Sequence, residues 1–126
     1  MNKSSNKQVL VVDDDAMNRE VMEAFLLSED YDVLLASNGQ NGLDLAHQYH
    51  PSVIILDVRM PDMSGYVVCE KLKQSSETKN IPIMIMTGFD AREDFERSKK
   101  VGADEFLTRP FDGDDLLTRI HKLVFG

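Results

Sequence analysis

Val53-Ile54-Ile55-Leu56-Asp57 is the stretch on which the fold turns: four apolar residues closed by a carboxylate and followed by Val58-Arg59-Met60-Pro61-Asp62. A short unbroken apolar run of this kind reads as a strand buried on both faces, so its terminal acid is delivered to the rim of a sheet. Two further runs repeat the design. Val9-Leu10-Val11-Val12 stops on Asp13-Asp14-Asp15, and Ile83-Met84-Ile85-Met86 stops on Thr87-Gly88. If the strands are parallel, two sources of carboxylate and a hydroxyl meet in the crevice outside their carboxyl ends, where open α/β sheets bind ligands.

Working outward, strand-like and helix-like segments alternate along the chain, the pattern of crossover units around a mostly parallel sheet. The first strand (8–12) precedes a helix over 16–29, on which Met17, Val21, Ala24, Phe25 and Ser28 recur at helical spacing. A second strand (31–36) breaks at Asn38-Gly39, and a helix over 39–49 is stopped by Pro51. After the Asp57 strand come a helix over 65–74, a polar loop over 75–80 and the fourth strand. Asp90 with Glu93 resembles a capping box for a fourth helix ending near Val101-Gly102, and nearly all of that helix is polar, so its packing face is thin. Glu105 to Thr108 is the last strand, and a helix capped by Asp112 closes the chain. Asp15 is read as a cap or first-turn acid of the first helix.

Composition narrows the function. A chain of 126 residues is expected to be one domain, residues 8–126, behind a frayed tail over 1–7. Lys and Arg number 14 against 22 Asp and Glu, a net charge of −8, which argues against nucleic-acid binding and favours cations. The lone Cys69 fits a reducing interior and is read as a small, partly buried helix residue. The lysines near the start have no apolar stretch behind them, and no run is long enough to span a bilayer, so a cytoplasmic protein away from membranes is expected.

Nothing adjacent in sequence neutralises Asp13, Asp14 and Asp57, and a divalent cation would. An all-oxygen donor set suits Mg²⁺, with Mn²⁺ possible, while His47, His50 and His121 lie by helices and are not read as ligands. Beside such a cation an aspartate is a competent nucleophile toward phosphorus. Thr87 has a hydroxyl to donate to a phosphoryl oxygen, and Arg109, in Thr108-Arg109-Pro110-Phe111, has a cation for the same group.

From about Lys7 to Val124 the chain resembles the receiver domain of two-component response regulators. The resemblance is carried by Val11-Val12-Asp13-Asp14, by Leu56 through Gly65, by Met86-Thr87-Gly88, and by Gly102 through Phe111. It implies a flavodoxin-like doubly wound parallel sheet of five strands in the order 2-1-3-4-5 with five helices, an arrangement for which a chemotaxis receiver is a standard illustration. It implies that Asp57 accepts phosphate from a sensor histidine kinase or a histidine phosphotransfer protein. Asp14, Asp57 and the Arg59 backbone carbonyl would bind Mg²⁺, with Asp13 acting through water. Thr87 would coordinate the phosphoryl group, and Thr87 with Phe106 would form the switch. A cis Arg109-Pro110 bond is implied too, as is an output or homodimer contact on the face of the fourth helix, fifth strand and fifth helix.

Arg109 departs from the family, which has lysine there, and a planar fork does not replace a compact ammonium freely. Two alternatives to a phosphoacceptor switch therefore stand beside it. One is a degenerate receiver serving as a constitutive binding module. The other is a Mg²⁺-dependent phosphatase, disfavoured because dehalogenase-like phosphatases carry a second aspartate where this chain has Arg59. On the leading reading the chain is no metabolic enzyme and catalyses only its own phosphorylation and dephosphorylation.

Overall fold

The computed structural model describes residues 7–88 and 91–126, with the side chains of the fourth helix described from Phe95 onward. The expected cap at Asp90 and Glu93, and residues 1–6 of the tail, lie outside the described residues. The elements run β1 (Gln8–Val12), α1 (Ala16–Leu27), β2 (Asp32–Ala36), α2 (Gly39–Tyr49), β3 (Val53–Asp57), α3 (Gly65–Gln74), β4 (Ile83–Thr87), α4 (Ala91–Lys100), β5 (Glu105–Thr108) and α5 (Gly113–Phe125). All pairings are parallel, in the order β2-β1-β3-β4-β5. The fold is the flavodoxin-like arrangement expected from the sequence.

Strand alternation explains the two cores. Leu10, Val12, Ile54, Leu56, Ile83 and Ile85 face one side, where α2 and α3 add Ala46, Val68, Cys69 and Leu72. The intervening Val9, Val11, Val53, Ile55, Met84 and Met86 face the other, against Met22 and Leu26 of α1 and Leu116 and Ile120 of α5. The central strands are therefore continuous apolar runs rather than alternating ones.

Two boundaries differ from the reading of the sequence. Helix α1 stops at Leu27 rather than at Glu29, because the amides of Glu29 and Tyr31 both bond to the Leu26 carbonyl while Asp30 turns through φ 65°. Tyr31 spends its amide on that helix end, so β2 starts at Asp32. Asp15, Asn38, Ser64 and Asp112 each accept an amide at the start of their helices, satisfying donors that a helix cannot satisfy itself. Cys69 is wholly rather than partly buried, and burial pushes its thiol up to about 12, so it is an inert core residue.

From Phe95 onward helix α4 is thinly anchored, as its composition suggested. Among its described side chains only Ser98 is fully buried. Phe95 stays exposed and meets the Phe106 ring edge-on, with centroids 5.5 Å apart. Arg97 lies over the Tyr66 ring at 4.6 Å.

Candidate functional site

The parallel strands bring their carboxyl ends to one edge, and one pocket of about 270 Å³ there is lined by Asp13, Asp14, Asp57, Arg59, Thr87 and Arg109. Six of the seven residues singled out in the sequence thus converge. Phe106 does not; it sits on β5, packed among the residues of the α2/α3 face. Asn18, on the first turn of α1, and Gly88 also line the pocket and were not singled out. For Asn18 the available signal was its place three residues after the cap Asp15, on the helix turn that faces the strand ends.

Asp13 and Asp57 are nearly closed off, with side chains 4% and 11% exposed, whereas Asp14 is open to solvent. Arg109 joins the two buried acids. Its guanidinium donates through Nη1 to Asp57 Oδ1 and through Nη2 to Asp13 Oδ2, both at 2.8 Å. The expectation of three uncompensated carboxylates is therefore corrected: two of them share a cation from β5, which sequence distance had hidden. The backbone of Arg109 is fixed to the sheet, its amide donating to the Thr87 carbonyl at 2.7 Å, and the Arg109-Pro110 bond is cis as expected.

The other oxygen of Asp13, Oδ1, accepts the Asp15 amide at 2.9 Å. Burial is the strongest influence on Asp13 and pushes its carboxyl above the ordinary aspartate value; the Asp15 amide pulls it back, and the charge of Asp57 adds to the rise. Such an acid requires a positive partner at close range. The donor chemistry also fits a hard divalent cation: Asp13, Asp14 and Asp57 each bring a carboxylate oxygen within 4.8 Å of the others.

Asp62 is a structural acid within the loop after β3. Its Oδ1 accepts the amides of Gly39 and Met63 and its Oδ2 that of Gln40, which ties the loop to the amino end of α2. The Gly39 and Gln40 amides hold its carboxyl below the ordinary value of 3.8. A depressed folded value means that this stabilisation is whole above the unfolded value and is lost as pH falls through the folded one. Asp62→Asn should therefore flatten the melting-temperature curve below about pH 4. A thermal scan from acid to neutral pH checks it; an acid limb of unchanged slope would refute the link.

A sequence profile of the response regulator receiver domain matches residues 9–121. The chain belongs to the receiver-domain family of response regulators. It is 40% identical over 117 residues to the response regulator PleD of Caulobacter vibrioides, covering 93% of this chain and 26% of PleD. To the cell cycle response regulator CtrA of Brucella ovis it is 38% identical, covering 93% of this chain and 50% of CtrA. The chain thus spans about a quarter and a half of these two relatives. The crystal structure of a putative response regulator from Chloroflexus aurantiacus superposes with a TM-score of 0.93 at 28% identity, covering 97% of this chain and all of that one. Among the described residues, no helix of this receiver domain is long and apolar enough to cross a membrane.

Proposed function

We propose that this receiver domain is a phosphoacceptor switch of a two-component system, with residues 8–126 as its working unit in the cytoplasm. The observation that carries the reading is the placement of Asp57, a nearly buried carboxylate at the end of β3, among Asp13, Asp14, Thr87 and Arg109. Its partner is a phosphohistidine on a sensor histidine kinase or a histidine phosphotransfer protein. A carboxylate oxygen of Asp57 attacks phosphorus, the P–N bond breaks, and the imidazole leaves with that electron pair and takes up a proton. The product is an acyl phosphate on Asp57.

The chain's own groups prepare that transfer. Asp57 and Asp14, with the Arg59 carbonyl, would hold Mg²⁺, and Asp13 would act through a water. When bound, the cation offsets phosphoryl charge during transfer. Thr87, at the end of β4, donates its hydroxyl to a phosphoryl oxygen, and Arg109, just past the neighbouring β5, supplies a positive group. The acids, not a histidine, are the ligands: His47 pairs with Glu77 and His121 stacks on Phe125, both away from this pocket.

Incubation with Mg²⁺ and acetyl phosphate should give an acid-stable, base-labile phosphate, and its absence at saturating donor would defeat the reading. The same phosphorylation should alter hydrogen exchange from Thr87 to Gly102 and at Phe106, because only Ser98 is fully buried among the described side chains of α4 and a few kcal/mol of differential affinity repopulates such an element. This is the face proposed to meet an output domain or a second copy. Exchange changes confined to the pocket would replace the switch with a constitutive binding module.

A further inference from the structure

Asp13 and Asp57 have four carboxylate oxygens, and three already carry a hydrogen bond: Asp13 Oδ1 from the Asp15 amide, Asp13 Oδ2 and Asp57 Oδ1 from Arg109. Only Asp57 Oδ2 carries none among the described residues. A phosphorylated Asp57 that also binds a metal gives one oxygen to each, so whichever of them takes Oδ1 competes with Arg109 for it. A small divalent cation binds oxygen at about 2.1 Å, which places it within a few ångströms of a guanidinium held by the same oxygens, positive group against positive group.

We propose that Arg109 is a latch that occupies the acid pair in place of the divalent cation, so that metal entry must first lift its guanidinium off the two acids, leaving it for a phosphoryl oxygen. The inference rests on the metal-binding reading of the site. The pivot is visible: the backbone of residue 109 is held by its amide bond to the Thr87 carbonyl, leaving the side chain as the part that moves. There is room for it to move into. Arg109 also borders a second groove of about 510 Å³ formed by Asn18, Val21, Phe25, Gly88, Pro110 and Phe111. The rigid fork matters here, because two nitrogens set at a fixed spacing engage both acids at once, which a single ammonium does from one point. Metal affinity in this receiver is accordingly set below what its three acids would give alone.

Calorimetric titration of Mg²⁺ into the parent, Arg109→Gln and Arg109→Lys tests the latch, alongside ¹⁵N spectra of the arginine side chains of the parent. The glutamine variant should bind Mg²⁺ at least about tenfold more tightly than the parent, as expected when a like charge is removed from a poorly solvated site. Lysine should show a smaller gain in the same direction, and it serves if the glutamine variant does not fold. In the parent, the side-chain N–H signals of Arg109 should be resolved without metal and should shift or broaden as Mg²⁺ is added. Equal affinities in parent and variants overturn the latch and leave the metal site standing. Tighter binding with unmoved Arg109 signals also overturns it, since the gain is then electrostatic without displacement. No Mg²⁺ binding by any of the three overturns the latch together with the metal reading.

Discussion

Replacing Asp57 with asparagine should reduce base-labile phosphate to background while leaving the protein folded. The chemical half of the expectation is simple: an amide oxygen is not a competent nucleophile. The structural half follows from what Asp57 touches. Its Oδ1 accepts from Arg109 Nη1 at 2.8 Å, and an asparagine carbonyl accepts there too. Losing the negative charge weakens that bond, but it also removes the cost of keeping an ionised carboxylate 11% exposed, and Arg109 keeps Asp13 as its partner. The two changes oppose each other, so stability should move by no more than about 1 kcal/mol. Incorporation is read by phosphate release in base after acetyl phosphate treatment, and stability by denaturant titration. Phosphate persisting in a folded Asp57→Asn protein would place the acceptor elsewhere.

The parts of this molecule that were legible in sequence are those whose physics is local. Runs such as Ile54-Ile55-Leu56 and Met84-Ile85-Met86 declare strands buried on both faces, and the acids and threonine that end them are placed by direction alone. Caps at Asp15 and Asp112 could be read for the same reason, since a cap acts within three residues. Contacts across the fold were not legible. Arg109 meets Asp57 and Asp13 across 52 and 96 residues, so the charge balance of the pocket was misjudged although every participant had been identified. Asp62 stood in the quoted family stretch, yet its partners are amides of α2, 22 and 23 residues earlier. The end of α1 was overrun by two residues because the bond that stops it is made by Tyr31, which periodicity assigns to the next strand. Periodicity and caps thus locate the acids, and only the assembled sheet shows which cation they share.

Gly65→Ala should destabilise the fold by about 1–3 kcal/mol, the usual cost of forcing an atom into a packed space, and should impair phosphorylation as well. Inside a helix the same change normally stabilises, by up to about 1 kcal/mol, so the expected sign is reversed. The reason is the closeness of α3 to the end of β3. A Cβ at residue 65 would lie 2.2 Å from the Asp57 carbonyl oxygen and 3.1 Å from the Val58 Cα, both backbone atoms that no rotamer change can move aside. Relief requires α3 to back away, and that breaks the 2.9 Å bond from the Gly65 amide to the Val58 carbonyl. Because the crowded atom belongs to Asp57, the displacement is transmitted to the residue that carries the chemistry, and a shift of about 1 Å is enough to cost on the order of a hundredfold in rate. Gly88→Ala is the control. Gly88 also lines the pocket, but a Cβ there meets nothing within 4 Å, so that variant should keep its stability. Denaturant titration of both variants with phosphorylation rates measured well below their midpoints separates the effects. A Gly65→Ala protein as stable as the parent and as readily phosphorylated would mean that the start of α3 does not constrain Asp57.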